Sequence, residues 1–214
     1  MVISRCCEII FRLRGRYSLK DSRDEFLHFE NPYQILIATI LSAQTTDATV
    51  NKVTKSLFKK YTEINALAFA DLSDVEQIIH STGFYHAKAR NIIATSKMVV
   101  ENFNGVVPAT MEELLQLPGV GRKTANIILH HAFDITVGIA VDTHVKRVAQ
   151  RLGITSSKNP DIIERDLTNT YPKKVWGEIN GLLILHGRKI CTAKKPCCDI
   201  CFLSDICLYN QKSR

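Results

Sequence analysis

The feature that most constrains the fold is residues 117–123, the run Leu-Pro-Gly-Val-Gly-Arg-Lys, which lies between two helical patterns. Pro118 cannot continue the helix before it, and we expect Gly119 and Gly121 to adopt backbone angles that are closed to other residues. After the run, residues 124–133 carry apolar side chains at the spacing of a buried helix. The run therefore predicts a tight hairpin that joins two helices.

The same hairpin is a candidate nucleic-acid-binding element. Glycines have no side chain to block a ligand, so the amides of the turn and of the next helix's first turn can face a phosphate. Lys123 would then lie beside a bound nucleic-acid backbone. The predicted contact residues of the turn are Gly119, Val120, Gly121 and Arg122.

Composition and charge favour an acidic partner. The chain has 214 residues, 45% of them hydrophobic, and 28 Lys and Arg against 21 Asp and Glu give a formal charge of +7. DNA or RNA is the commonest acidic partner, although the excess could merely keep the chain soluble. No apolar run approaches the length of a membrane span, and the four arginines in residues 1–17 indicate an amphipathic helix rather than a signal peptide. We expect a cytoplasmic protein, associated with the nucleoid if the host is prokaryotic.

Almost all of the chain is predicted to be helical. Two segments, starting at Ser73 and at Thr110, have the spacing of a capping box, and Asp134 to Val141 gives only a weak strand signal. Loops are short, so any two domains must be closely packed. The predicted helices begin at Pro32, Asp47, Ser73, Ala87, Thr110, Thr124, Asp142, Pro160 and Trp176.

A cysteine cluster near the C-terminus predicts a metal centre. Five of the seven cysteines lie between residues 191 and 207, and four thiolates so close in sequence can surround one centre. Ligand chemistry allows both a tetrahedral zinc ion and an iron–sulfur cluster, and Cys197 is a fifth candidate that leaves the register open. The spacing C-x6-C-x2-C-x5-C is formed by Cys191, Cys198, Cys201 and Cys207.

Lys123 and Asp142 are a candidate reactive pair. An unprotonated lysine amine can attack a sugar carbon to form a Schiff base, and we expect burial and the positive end of a helix to favour the neutral amine. An aspartate nearby can stabilise the cationic sugar formed as a base departs, or relay protons. The alternatives are that Lys123 only contacts phosphate and that Asp142 only caps its helix.

Together, residues 117–126, the run Val-Asp-Thr-His at 141–144 and the cysteine tail resemble the endonuclease III family of helix–hairpin–helix DNA glycosylases. The resemblance extends from about residue 20 to residue 209, and its other matching segments are residues 41–47, 83–88 and 184–187. It implies a monomeric, bifunctional DNA glycosylase and abasic-site lyase of base excision repair. Such an enzyme excises ring-saturated, oxidised pyrimidines from damaged double-stranded DNA and nicks the strand by β-elimination.

The resemblance also implies a fold and a cofactor. The fold class is all-α, with two closely packed helical domains: a six-helix barrel with the helix–hairpin–helix (residues 22–133) and a helical cluster domain (residues 1–21 and 134–214). The four cysteines match the ligands of a [4Fe-4S] cluster, which leaves Cys197 as a bystander. Lys194 and Lys195, in the first ligand loop, would contact DNA phosphates, unless they are simply solvated.

Site residues can be carried over by position. Lys123 matches the family's Schiff-base nucleophile and Asp142 its catalytic carboxylate. Gln44 matches the residue that fills the gap left by the extruded nucleotide. Phe84 lies where the family commonly has a leucine wedge, and this departure leaves the opposite-base preference open.

Three further residues match the damaged-base pocket: Ser42, Asp47 and His144. Gln44 and Asp47 could instead be a helix C-cap and a helix N-cap, and those roles can coexist with functional ones. His144 could simply be a surface histidine.

Two other functions remain as alternatives. One is a monofunctional, mismatch-type glycosylase of the same superfamily, against which Lys123 argues, because those enzymes lack a lysine at that position. The other is a non-catalytic iron–sulfur DNA-binding module, against which Lys123 and Asp142 argue together, since phosphate binding alone needs neither group.

Overall fold

The protein is all-α, as predicted. A computed structural model describes residues 5–212, with side chains for residues 5–211, and in this part of the chain there is no β-strand. Residues 1–4 of the predicted N-terminal helix lie outside the described residues. Within residues 5–212, no helix is both long enough and apolar enough to cross a membrane. The helices are α1 (Arg5–Arg16), α2 (Pro32–Leu41), α3 (Asp47–Lys60), α4 (Ile64–Ala68), α5 (Leu72–Ile79), α6 (Tyr85–Phe103), α7 (Met111–Leu114), α8 (Arg122–Phe133), α9 (Thr143–Leu152), α10 (Pro160–Thr170), α11 (Trp176–Lys189) and α12 (Leu208–Lys212).

The chain forms two compact units. One is Arg23–Ile135, and the other joins the N-terminal segment through Ser22 to the residues from Thr136 onward. In the first unit, α2 is the most deeply buried helix, and every residue from Ile35 to Leu41 is buried. Helix α8 packs against α2, and α4 and α5 pack against α6. A short apolar helix packed against its neighbours thus lies in the core of this unit.

The second unit is built around α11. Residues 181–187 of this helix are all buried, and both α1 and α9 pack against it. Helix α9 ends where the sequence predicts, at Gly153, which has φ of +72° in the left-handed region that favours glycine. Helix α12 packs against α9, which brings the segment after the cysteines back onto this unit.

The predicted start of α3 at Asp47 is confirmed, whereas the predicted starts at Ser73, Ala87 and Thr124 are one or two residues late, because α5, α6 and α8 begin at Leu72, Tyr85 and Arg122. Helix α5 begins at Leu72 rather than after Ser73, because Asp71 is the N-cap and accepts a hydrogen bond from the Asp74 amide at 3.0 Å. Helix α3 is capped by Thr46, so Asp47 is its first helical residue and not its cap. In both cases two neighbouring residues are good caps, and the sequence alone does not decide between them.

The helix before the hairpin is shorter than predicted. Thr110 caps it, and its hydroxyl is 3.3 Å from the Glu113 amide and 2.7 Å from the Glu113 carboxylate, as the capping-box spacing indicates. The α-helix ends at Leu114 instead of Leu117. Turn-type hydrogen bonds, including one from the Leu117 amide to the Leu114 carbonyl at 3.1 Å, carry the chain into the hairpin.

Candidate active site and cysteine centre

Gly119 shapes the hairpin between α7 and α8. Its φ of +79° is in the left-handed region, and a Cβ placed on it would lie 3.2 Å from Asn91 Nδ2 and 3.3 Å from Ile40 Cγ2. The hairpin is anchored to α6 by Thr95, whose hydroxyl donates to the Pro118 carbonyl at 2.6 Å. Backbone angle and packing therefore both require glycine at position 119.

Gly121 has a different role from the one predicted. Its φ of −101° and ψ of 176° are extended angles that other residues adopt, so the expected special conformation is wrong for this glycine. Gly121 is the N-cap of α8, and a Cβ placed on it would meet no atom within 4 Å. The glycine thus leaves the start of α8 open to solvent, at the positive end of the helix dipole.

Val120, another predicted contact residue, closes the turn. Its amide donates to the Leu117 carbonyl at 3.1 Å, and its side chain is buried in the core of the first unit. The structure therefore gives Val120 an internal role, while Gly121 and the first turn of α8 present the accessible surface of the hairpin.

Lys123 is the second residue of α8, and its side chain is exposed. The predicted burial of this amine is therefore wrong, because the first turn of α8 lies at the surface and only the later turns enter the core. Among the described residues, no hydrogen bond or ion pair engages Lys123. An accessible, unpaired amine beside an open helix start is suited to an incoming ligand.

Asp142 caps α9 in the other unit. Its Oδ1 accepts a hydrogen bond from the Val145 amide at 2.7 Å, while Oδ2 has no hydrogen bond within residues 5–212. The residue is half-buried. Capping fixes the position of this carboxylate and leaves one oxygen available for chemistry, so the two roles considered for Asp142 are compatible.

His144 is packed, and it is not a free surface histidine. Its Nδ1 lies 3.1 Å from Arg147 Nη2, and the same guanidinium donates to the carbonyls of Gly187 (2.9 Å) and Cys191 (3.0 Å). Burial lowers the pKa of His144, an effect that Asp142 partly opposes. The arrangement holds a neutral ring next to the Asp142 cap.

Gln44 and Phe84 share an uncommon backbone conformation. Gln44 has φ of +54° and Phe84 has φ of +59°, both left-handed, and both side chains are exposed, Phe84 by 70%. Residues other than glycine pay of order 1 kcal/mol or more to adopt this conformation, and it tends to persist at functional sites. Gln44 is not the C-cap of α2, because Ser42 caps this helix and its hydroxyl donates to the Thr39 carbonyl at 2.8 Å. Phe84 is the N-cap of α6.

The residues around Phe84 are held by aromatic and ionic contacts. The Tyr85 ring lies 4.6 Å from the His80 ring and 4.0 Å from the His86 ring, centroid to centroid. His86 Nδ1 in turn lies 2.8 Å from the Glu76 carboxylate. Phe84 therefore projects from a supported turn.

Lys88 is a residue of this region that sequence reasoning did not single out. Its side chain is only 5% exposed, and its amine donates to Thr45 Oγ1 at 2.7 Å. Burial lowers the pKa of this amine. The one sequence signal for Lys88 is that it lies in segment 83–88, which resembles the endonuclease III family. No pattern of residue spacing predicts that a lysine is buried.

The four cysteines of the predicted centre line one pocket in the second unit. Arg151 Nη1 lies 3.3 Å from Cys191 Sγ, and His186 Nε2 lies 3.7 Å from Cys201 Sγ. Burial raises the pKa values of the Cys198 and Cys201 thiols, and the neighbouring thiols raise them further. The four thiols that the spacing selects are thus brought together.

The donor set of this pocket is four cysteine thiols. Thiolates bind both zinc and iron–sulfur clusters, so the side chains fit a metal centre of either kind. Cys197 is exposed at the rim of the same pocket, and Lys194 and Lys195 are exposed in the loop before it.

Comparison with known proteins gives the class of this chain. Residues 37–173 match the HhH-GPD superfamily base excision DNA repair proteins, and the chain belongs to this superfamily. Endonuclease III from Synechocystis sp. is 52% identical over 187 residues, which cover 87% of this chain and 85% of the relative. Endonuclease III from Escherichia coli is 41% identical over 205 residues, or 96% and 95% of the two chains.

Comparison with solved structures leads to the same superfamily. A non-covalent endonuclease III–DNA complex superimposes with a TM-score of 0.87 at 40% identity, covering 100% of this chain and 99% of the other. A thermostable thymine-DNA glycosylase gives a TM-score of 0.79 at 28% identity, covering 86% and 87%. Within the superfamily the chain is therefore of the endonuclease III type, a DNA glycosylase and abasic-site lyase, as the sequence predicted.

Proposed function

We propose that this enzyme removes oxidised, ring-saturated pyrimidines from damaged duplex DNA, with Lys123 as its nucleophile and Asp142 as its catalytic carboxylate. The observation that carries the proposal is the state of Lys123. Its amine is exposed and unpaired among the described residues, and it lies in the first turn of α8 next to the open Gly121. A residue placed there to stabilise the fold would be expected to have a partner.

The chemistry follows from an amine and a carboxylate. The neutral Lys123 amine attacks the sugar C1′, the bond from C1′ to the base breaks, and the base takes up a proton as it leaves. Opening of the sugar ring gives a Schiff base, which makes the C2′ hydrogen acidic. Its loss expels the 3′ phosphate and cuts the strand. Asp142, whose Oδ2 is free of hydrogen bonds within residues 5–212, stabilises the cationic sugar and shuttles protons.

Extrusion of the damaged nucleotide is assigned to Gln44 and Phe84. Both side chains are exposed on left-handed turns, where an amide and an aromatic ring can enter the space that an extruded base leaves. Unstacking costs a few kcal/mol and less for a poorly stacked base, which favours saturated pyrimidines because they have lost their planarity. Ser42, Asp47 and His144 are assigned to the pocket for the extruded base.

We further propose that Cys191, Cys198, Cys201 and Cys207 hold a [4Fe-4S] cluster. The pocket that the four cysteines share and the spacing of these residues in the sequence support this assignment. A cluster bound there would cross-link the C-terminal segment to the rest of the second unit. It would also be able to transfer electrons. The protein would act in the compartment that contains the host's DNA. Lys194 and Lys195 would bind DNA phosphates.

The test of the nucleophile is borohydride trapping on duplex DNA that contains one thymine glycol or one abasic site. Wild-type protein should form a covalent adduct, Lys123→Gln should form none, and the matched control Lys97→Gln, which changes another exposed lysine, should still form it. Base release without any adduct in the wild type would favour a monofunctional glycosylase. DNA binding without turnover on any lesion would favour a non-catalytic module.

The cluster is tested with two adjacent cysteines. Cys198→Ser should lose the brown colour and most of the soluble yield, whereas Cys197→Ser should keep both. A stable, colourless and active Cys198→Ser variant would refute the structural role of the cluster.

A further inference from the structure

Lys88 is a buried amine that the proposed chemistry leaves unused. It lies in the first turn of α6, and its side chain is 5% exposed. An ammonium group has three donors, yet within residues 5–212 its one hydrogen bond goes to the neutral Thr45 hydroxyl, at 2.7 Å. Burying a charge with a single neutral partner is costly, and burial accordingly lowers the pKa of this amine. The residue therefore needs an explanation other than fold stability.

The contact joins two segments that are distant in sequence. Thr45 follows Gln44 in the loop after α2, and Lys88 is 43 residues further along the chain. The backbone amide of Lys88 donates to the Phe84 carbonyl at 3.1 Å, which closes the turn that begins at Phe84. The loop and the turn also touch at Gly83, where an added Cβ would lie 3.8 Å from the Gln44 carbonyl oxygen. Lys88 thus links the loop that contains Gln44 to the turn that begins at Phe84.

A turn that contains a left-handed residue other than glycine needs contacts with the surrounding structure to keep its conformation. Gln44 and Phe84 each adopt a backbone conformation that costs of order 1 kcal/mol, and such conformations persist only where the surroundings impose them. If either turn relaxed, the two exposed side chains would point in other directions. A short hydrogen bond across the gap is one way to keep both turns in place.

We propose that Lys88 is a positioning residue that holds the Gln44 loop and the Phe84 turn in the geometry needed to enter duplex DNA together. The inference rests on the proposed function in one respect, namely that Gln44 and Phe84 are the side chains that replace the extruded base. Lys88 itself touches no reacting atom. Its role is in the extrusion of the damaged nucleotide and not in the Schiff-base step.

The test separates extrusion from chemistry. Lys88→Met keeps an unbranched side chain out to Cε and removes the donor, and Lys97→Met changes an exposed lysine of the same helix as the matched control. Each variant, as holoenzyme, is assayed on duplex DNA with one thymine glycol and on single-stranded DNA with one abasic site, where nothing must be unpaired. We expect Lys88→Met to lose roughly tenfold or more of kcat/KM on the duplex and to stay within about twofold on the single strand. Lys97→Met should match the wild type on both substrates.

A second measurement does not depend on the chemistry at all. In a Lys123→Gln background, the fluorescence of 2-aminopurine placed next to the lesion reports unstacking upon binding. We expect Lys88→Met to lose most of the fluorescence rise while still binding the duplex, Thr45→Val to behave in the same way, and Lys88→Arg, which keeps a donor, to recover part of the signal. Full extrusion by Lys88→Met, or equal losses on the duplex and the single strand, would overturn the proposal. Failure of wild-type protein to cleave the single strand would instead count against Lys123, and the fluorescence would still decide the role of Lys88.

Discussion

Replacing each of the two hairpin glycines by alanine should affect a different property, stability in one case and DNA binding in the other. Gly119 has φ of +79° and is enclosed by Asn91 and Ile40, whereas Gly121 has extended angles and faces open space. Gly119→Ala should therefore damage the fold, and Gly121→Ala should damage DNA binding. The same methyl group is added two residues apart, so each variant is the control for the other.

The magnitudes follow from the local geometry. At Gly119, an alanine in the left-handed region costs about 1–2 kcal/mol, and crowding against atoms 3.2 and 3.3 Å away adds about 1 kcal/mol. A loss of about 2–3 kcal/mol lowers Tm by roughly 4–12 °C in a chain of this size. At Gly121, the backbone angles suit alanine, and the weaker N-cap costs no more than about 1 kcal/mol, or roughly 2–4 °C.

For DNA binding the order reverses. A methyl group on Gly121 would stand where a phosphate approaches the start of α8, and loss of one hydrogen bond to a charged group costs about 1.5–3 kcal/mol. That range corresponds to a rise in Kd of roughly 10- to 150-fold. Thermal unfolding of the holoprotein and Kd for a duplex with an abasic-site analogue, at one salt concentration, measure both quantities. If Gly121→Ala bound the duplex as tightly as wild type, or lost as much Tm as Gly119→Ala, the reasoning would be refuted.

Substitutions at three further positions separate structure from function. Asp142→Asn should keep Tm within about 2 °C, because asparagine caps as well as aspartate, yet lose base release in a single-turnover assay; Asp142→Ala should lose about 1 kcal/mol of stability in addition. Phe84→Gly should raise Tm by about 2–4 °C by relieving the left-handed backbone while it slows excision from duplex DNA, and a lower Tm would contradict the assigned strain. Arg151→Met removes donors to the Cys191 sulfur and to three loop carbonyls, so the visible absorbance of the cluster should bleach several-fold faster under a chelator, and an unchanged rate would exclude this support.

Helix positions were predictable from the sequence where their signals are local. Pro32, Thr110 and Gly153 act through a few neighbouring backbone groups, and the structure places a helix end at each of them. The short helix α4, Ile64–Ala68, was missed because five residues are too few to show a helical period. The choice of Asp71 over Ser73 depends on which turn packs against the neighbouring helices, and no local pattern reports that.

The reactive groups show a deeper limit, because a residue's identity does not determine its environment. The sequence predicted a buried amine at Lys123, whereas the structure exposes Lys123 and buries Lys88, which lies earlier in the chain on another helix. Lys123 is accessible in the free protein, and we expect bound DNA to cover its amine and to exclude water from it. Buried Lys88, already short of hydrogen-bond partners, is the amine that the fold itself holds in place. The two lysines thus divide the work: one is kept accessible for chemistry that begins only on DNA, and the other keeps the turns ready to open the duplex.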